Sequence, residues 1–250
     1  MNLILLDAAE VNDAGEVTLA DVRAGHLADV LRVTPGQSVR VGLLDGPHGT
    51  AVVTKTEDHR VSMRCSFDAE PPQRPRVDLL LALPRPKVMR RLWAQLAALG
   101  IGQIILTNAE RVERNYFDTH VLTPDCYRPL LIEGLQQARD TRVPIVSIHR
   151  QFRILVEDHL DTIVEGVRLV ADPRAKTSIG EALRGTSPDR VLLAVGPEGG
   201  WNDFELRLLE THRFNPIGMG PRTLRADTAC VALLTLVHEA IGQDGALVAR

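Results

Sequence analysis

From residue 77 onward, mainly apolar runs alternate with amphipathic stretches. The apolar runs at 77–83, 103–107, 143–148, 167–171 and 191–195 predict strands, and the stretches at 87–99, 125–138, 154–160, 178–183 and 203–210 predict helices. Strands apolar on both faces, interleaved with helices, argue an α/β fold with a mostly parallel sheet covered on each side. Asn202 is placed to cap the helix that follows it, with Glu205 three residues on as the reciprocal partner. Upstream the period changes. Short β-branched or alternating runs at 38–41, 50–54 and 60–63 are separated by turns such as Pro35-Gly36 and Asp45-Gly46-Pro47, the pattern of a small β-barrel. A helical stretch at 25–32 leads into it. Between the two patterns, Pro71, Pro72 and Pro75 exclude regular helix and favour an extended linker. The expected organisation is a barrel over 1–70, a linker over 71–76 and an α/β domain over 77–250. The last helix, from about 226 to 241, is apolar nearly all round, which suits either a central core helix or a helix covered by a second subunit.

Composition narrows this picture little. A chain of 250 residues with 44% hydrophobic and 24% charged residues has ordinary globular values. No apolar run approaches the roughly 20 residues of a membrane-spanning helix. The start, Met1 to Asp7, lacks a basic region and a small-residue cleavage site, which argues against secretion. Cys65, Cys126 and Cys230 are odd in number and far apart, as expected of a reducing, cytoplasmic compartment, and they suggest neither a disulfide framework nor a metal site. The net charge of −3 speaks against coating of nucleic acid over the whole surface. Locally, however, Arg74, Arg76, Arg85, Lys87, Arg90 and Arg91 are opposed only by Asp78. That stretch reads as a solvated face on charge alone, or as a phosphate track if the protein acts on RNA.

The chemistry concentrates near the C-terminus. Gly196-Pro197-Glu198-Gly199-Gly200 follows the apolar run at 191–195 and precedes a helix start. Ile217-Gly218-Met219-Gly220-Pro221-Arg222-Thr223-Leu224-Arg225 repeats the arrangement before the last helix. Two glycine-rich turns at strand-to-helix junctions can present several backbone amides to one small molecule. Each alone is also a plausible tight connection. Neither is a P-loop, since no Gly-x-x-x-x-Gly-Lys is present, and Gly218-Met219-Gly220 lacks the third glycine of a dinucleotide fingerprint because position 223 is Thr.

Taken together, the two loops resemble those of the SPOUT methyltransferases, and most closely the RsmE family, which methylates N3 of a uridine in 16S ribosomal RNA. That family carries Gly-Pro-Glu-Gly-Gly and, some twenty residues later, Leu-Gly-x-Arg-Ile-Leu-Arg-x-Glu-Thr-Ala. Here the second motif reads Met219-Gly220-Pro221-Arg222-Thr223-Leu224-Arg225-Ala226-Asp227-Thr228-Ala229. The resemblance extends to the first domain, where His26-Leu27 and Val30-Leu31-Arg32 match a segment of the family's PUA-like RNA-binding barrel. It implies a C-terminal trefoil knot, a homodimer joined at helices near the knot, 16S rRNA or the small ribosomal subunit as partner, and S-adenosylmethionine as cofactor. The cofactor residues it implies are Ala194, Val195, Gly196, Pro197, Glu198, Gly199, Gly200, Ile217, Gly218, Met219, Gly220 and Leu224. RNA contacts are expected at His26, Arg32, Arg85, Lys87, Arg90 and Arg91, and no metal is implied.

Methylation at uridine N3 requires an unpaired or flipped base and loss of the N3 proton. The anion spreads onto the flanking carbonyl oxygens, where Arg222 and Arg225 are suited to stabilise it. Neither arginine can act as the base, because arginine stays protonated. Asp227, where the family usually has Glu, can orient Arg225, cap the last helix or take the proton, the first two being preferred to the third. Two departures bear on the target. The family's Lys-Ala-Thr-Glu-Leu-Gly-Val reads Gln95-Leu96-Ala97-Ala98-Leu99-Gly100-Ile101 here, and Glu-Gln-Ser-x-Arg-x-x-Val-Pro reads Gln136-Gln137-Ala138-Arg139-Asp140-Thr141-Arg142-Val143-Pro144. These leave open a related RNA site, or an RNA-binding assembly factor that kept the fold without turnover.

Overall fold

The structure, a computed structural model, describes residues 2–57, 59–186, 188–220, 222 and 224–242. Pro221 and Thr223 of the second loop therefore lie outside the described residues. The chain divides into two compact units: Met1–Arg74 with Leu131–Val143, and Pro75–Leu130 with Pro144–Arg250. The prolines at 71–75 fall at the first boundary, while the grouping of 131–143 with the first unit has no counterpart in the sequence pattern.

In the first unit, β1 (Ile4–Leu6), β2 (Glu16–Leu19), β3 (Ser38–Leu43), β4 (His48–Glu57) and β5 (Arg60–Phe67) form a mixed sheet in the order β1-β3-β4-β5-β2. Only β1 and β3 pair in parallel. Alternate residues along β2, β4 and β5 are buried, as period-two sequences require when one face is covered. Leu6, Leu19, Leu27, Val41, Val53, Val61 and Met63 fill the core behind that face. The stretch expected as one helix over 25–32 begins earlier, at α1 (Val22–Gly25), because Asp21 caps it by accepting from the Arg23 amide at 2.9 Å. It then widens over His26–Val30 into a looser turn. Arg142, in the segment that departs from the family pattern, serves this unit's backbone: its Nε donates to the Pro72 carbonyl at 2.5 Å and its Nη1 to the Asp45 carbonyl at 3.0 Å.

The second unit is built on β6 (Val77–Ala82), β7 (Gln103–Thr107), β8 (Ile145–His149), β9 (Val167–Ala171), β10 (Val191–Val195) and β11 (Phe214–Ile217), all parallel in the order β11-β9-β10-β6-β7-β8. The central strands β6 and β10 are buried at every position; β10 is apolar throughout, and β6 is apolar except for Asp78, whose carboxylate is buried with a partner. Strand β8 starts at 145, two residues later than expected, since Pro144 has no amide to give the ladder. At the other edge β11 tolerates Pro216 for the complementary reason, that one side of an edge strand needs no donor.

Helices α2 (Pro86–Ala98), α3 (Pro124–Ala138), α6 (Ile179–Ala182), α7 (Asp203–Thr211) and α8 (Ala226–Ala240) connect the strands. The expected helix at 154–160 is instead a broken run, α4 (Phe152–Ile154), a wider turn at Leu155–His159 and α5 (Leu160–Ile163). Helix α8 packs on β6, β10, α2 and α6, burying Cys230, Leu233, Leu234 and Val237. Most of its apolar content is therefore core, and Leu236 is the large apolar side chain it leaves exposed, at 44%. The substituted positions Gln95 and Ala98 lie on the exposed side of α2. Among the described residues no helix is long and apolar enough to cross a membrane, and no cluster of His, Cys, Asp and Glu is placed to hold a metal.

Candidate active site

The carboxyl ends of β9, β10 and β11 lie side by side, the place where open parallel sheets bind ligands. The chain leaves β10 through Gly196–Gly200 and enters α7 at Asn202. There Asn202 Oδ1 accepts from the Glu205 amide and Glu205 Oε2 accepts from the Asn202 amide, each at 2.8 Å. This is the reciprocal cap expected from the sequence. Glu205 does more than cap: its Oε1 accepts from the Glu110 amide at 2.7 Å, which anchors the loop after β7 and accounts for a carboxylate only 3% exposed. The second loop leaves β11 at Gly218, whose amide donates to the Thr177 carbonyl at 2.9 Å. A Cβ on Gly218 would collide with the Ala175 carbonyl oxygen, so glycine is required there by the neighbouring backbone.

Between the loops is a cavity of about 190 Å³. Of the expected cofactor residues, Val195, Gly196, Pro197, Glu198, Gly199, Gly200, Ile217, Gly218, Met219, Gly220 and Leu224 line it. Ala194 does not; it is fully buried within β10. Gly200 and Gly220 hold φ of +73° and +93°, with no atom within 4 Å of where a Cβ would stand. The wall at those points is bare backbone facing open space. Apolar Ile217, Leu224, Ala229 and Leu233 complete the lining, with Asp172 at the end of β9 on the rim.

Two residues that sequence reasoning missed shape the first loop. Arg111 donates through Nη1 to the Gly199 carbonyl, and a Cβ on Gly199 would meet Arg111 Cδ at 2.8 Å. Trp201, 6% exposed, lies against Gly196, whose missing Cβ leaves room for the indole. No local pattern marks Arg111; for Asp172, which lines a third side, the one local signal is the turn at Asp172-Pro173 after β9.

The catalytic candidates gather beside this cavity. Arg222 lines it, and Arg225 stands at the start of α8, 74% exposed, with Nε 3.7 Å from Asp227 Oδ1. Asp227 Oδ2 accepts from Arg91 Nη2 at 3.0 Å and its Oδ1 from the Thr228 amide at 3.0 Å. Partial burial pushes the Asp227 carboxyl up. The Arg91 bond, the Thr228 amide and the charge of Arg225 outweigh it and hold the group below the usual carboxylate range. Nearby Cys230 is pushed up to about 12, first by burial and then by the Asp227 charge, so it stays a thiol.

The expected RNA-contact residues divide by environment. Arg85, Lys87, Arg90 and Arg91 are exposed on the first turns of α2, though Arg91 is engaged by Asp227 and Arg90 approaches Cys126 Sγ at 3.7 Å. In the same basic stretch, Arg74 is spent on Asp45 and Arg76 on the carbonyls of Ile241 and Gly242. In the first unit Arg32 is exposed with φ of +51°, whereas His26 keeps its Nε2 buried and without a partner.

The family model of the RNA methyltransferase domain matches residues 71–238. Ribosomal RNA small subunit methyltransferase E of Treponema pallidum is 30% identical over 243 residues, covering 95% of this chain and 90% of that protein. The like-named protein 1 of Borreliella burgdorferi is 23% identical, covering 93% of this chain and 95% of its own length. Among solved structures, ribosomal RNA small subunit methyltransferase E from Neisseria gonorrhoeae, bound to S-adenosyl methionine, superposes with a TM-score of 0.76 at 22% identity, covering 96% and 97% of the two chains.

Proposed function

The chain belongs to the ribosomal RNA small subunit methyltransferase E family, and we propose on that premise that it methylates N3 of a uridine in 16S rRNA. It is an S-adenosylmethionine-dependent rRNA methyltransferase. One observation carries the cofactor site: the two family loops, 18 positions apart between Gly200 and Gly218, converge on one cavity walled by bare glycine backbone. The residues present fit the cofactor. Backbone and apolar side chains suit an adenine, Asp172 is an acceptor for hydroxyl or ammonium groups, and among the described residues Arg222 is the one cation lining the space to oppose a sulfonium. When bound there, S-adenosylmethionine supplies the methyl group.

The chain's own residues supply the rest. Arg225 and Arg222 stand where charge develops on the carbonyl oxygens of the base. Asp227, held ionised by Arg91, orients Arg225 and complements the N-terminus of α8. Mass mapping of modified nucleosides in small-subunit RNA, with and without the gene and after incubation with purified protein, tests the reading. N3-methyluridine that appears only with active protein is expected, and methylation of another atom or no transfer would overturn it.

The finer architecture follows the same reading. The first unit is a PUA-like RNA-binding barrel over about 1–70, reached through the linker at 71–76, with His26 and Arg32 on its RNA side. The C-terminal end is a trefoil knot; the order β11-β9-β10, in which the chain passes beyond a strand it has already laid down, supports this. Exposed Lys87 and Arg90 belong to the phosphate track. Lys87→Ala with Arg90→Ala is expected to lower the slope of log K against log salt by about 1.4–1.8, at 0.7–0.9 per lost phosphate contact. Cofactor affinity should not change. An unaltered slope would return this face to plain solvent.

The enzyme is a cytoplasmic homodimer in this reading, joined through the open face of α8. Leu233 and Val237 are buried in the chain's own core, so the test belongs at Leu236. Leu236→Glu is expected to convert the dimer to monomer in sedimentation without unfolding it. A wild-type chain that sediments as a fully active monomer at micromolar concentration would dispose of the dimer.

A further inference from the structure

A second cavity, about 180 Å³, adjoins the first and is lined by Arg85, Val88, Glu198, Arg225, Ala226 and Asp227. Glu198 and Ala226 belong to both linings, so the two cavities are neighbours along these two residues. The small cavity holds two cations and two carboxylates, and the carboxylates are not equivalent. Asp227 is taken up by Arg91, the Thr228 amide and Arg225. A carboxylate so strongly held in its charged form accepts a proton poorly. Glu198 has a single side-chain hydrogen bond among the described residues, a long one of 3.4 Å from the Arg85 amide at the start of α2. It is exposed and free to accept another.

We propose that this second cavity seats the target uracil and that Glu198 is the base that takes its N3 proton. The assignment rests on the uridine-N3 reading above. Uracil presents acceptor, donor and acceptor at O2, N3–H and O4. Arg85 and Arg225 as donors and the Glu198 carboxylate as acceptor, all on the wall of one cavity, supply the complement of that edge. Cytosine would set its amino donor against an arginine and bring no N3–H to the carboxylate, so it is refused. In the reaction the N3–H bond breaks with its proton passing to Glu198, and N3 forms its bond to the methyl carbon. The bond from that carbon to sulfur breaks with its electron pair left on sulfur, so the sulfonium becomes a neutral thioether and Glu198 returns the proton to solvent.

The test is Glu198→Gln in the full chain, beside Asp227→Asn. Calorimetry should find S-adenosylmethionine affinity within a few-fold of wild type in Glu198→Gln, and fluorescence titration should find RNA affinity little changed. Single-turnover methylation should fall about 10²- to 10⁴-fold, the range typical of a lost general base. The wild-type rate should rise with pH through the titration of one carboxyl group, and the variant should lose that limb. RNA carrying 5-fluorouridine, whose N3–H is more acidic, should restore Glu198→Gln far more than it speeds wild type or Asp227→Asn. A variant rate within about three-fold of wild type, a parallel collapse of cofactor affinity, or no gain from the fluorinated base would overturn the assignment. If wild type methylates a position other than uridine N3, the functional reading falls with it; if it methylates N3 and Glu198→Gln is unimpaired, only the assignment of the base fails.

Discussion

Gly220→Val is expected to abolish measurable S-adenosylmethionine binding while leaving the thermal transition within a few degrees of wild type. Gly220 adopts φ of +93°, a region closed to β-branched residues, and lines the cavity at a point where, among the described residues and its chain neighbours apart, no atom stands within 4 Å of the missing Cβ. Two effects therefore add. The backbone is driven out of its left-handed conformation by a strain of about 1–2 kcal/mol, and the isopropyl group that remains occupies ligand space. A loss of at least about 100-fold corresponds to only about 2.7 kcal/mol, which these effects together should exceed. The neighbouring glycines make informative controls. Gly218→Ala drives a methyl group into the Ala175 carbonyl and should lower stability directly. At Gly199 the obstacle is Arg111 Cδ, the flexible part of a side chain that can swing away, so the same substitution there should cost less. Calorimetric titration decides the matter; a Gly220→Val chain that binds the cofactor as wild type does would remove the second loop from the site.

The second large effect is on stability and lies away from the cofactor. Asp78, in the middle of the sheet, is 0% exposed, and its two oxygens accept from Arg190 Nε at 3.0 Å and Nη2 at 2.6 Å. Gly102 makes room for the pair, because a Cβ there would stand 2.6 Å from the Arg190 guanidinium and 2.8 Å from Asp78 Oδ1. Arg190→Met strands the carboxylate, and leaving a buried charge unpaired costs about 3–5 kcal/mol. The lower end is the expectation here, since the arginine side chain is 30% exposed and water can partly replace it. Burial pushes the Asp78 carboxyl above its ordinary value, opposed by Arg190. A group whose native value is raised gives its full contribution below the unfolded carboxyl range and loses it as pH rises through the native value. Without Arg190 the native value rises further, so the variant should be most impaired at neutral pH and recover on acidification towards pH 4. Urea melts at pH 7 and pH 5 measure both; a deficit under 1 kcal/mol at pH 7 would show that the pair is dispensable.

The sheet was legible because its strands announce themselves. Val191–Val195 is an unbroken apolar run and Val77–Ala82 is apolar but for the paired Asp78, the composition that a strand buried on both faces requires. Caps were legible for a similar reason: Asn202 and Glu205 satisfy each other within four residues. Reading failed where the deciding partner is remote. Arg142 reads as a polar position open to substrate until its contacts with Pro72 and Asp45 appear. The apolar girth of α8 suits a core helix and a helix covered by a second subunit alike until β6, β10, α2 and α6 are seen to take most of it.

The same division runs through the active site. Local sequence determined the two glycine-rich loops, the place of the first after an apolar strand, and the residue types able to line a cofactor cavity, because backbone conformation and strand burial are properties of short segments. Strand β11, whose Phe214-Asn215-Pro216-Ile217 carries no apolar run, was not legible. Tertiary structure alone decided that Asp227 meets Arg91, 136 positions earlier, and that Glu198 stands between two cavities with the amide of Arg85, 113 positions earlier, as its hydrogen-bond partner. Proton affinity follows from the charges and donors a carboxylate finally meets, and those arrive from elsewhere in the chain. Two acidic residues that look alike in sequence are therefore parted by the fold, one engaged by two arginines and an amide and the other left with a single long hydrogen bond.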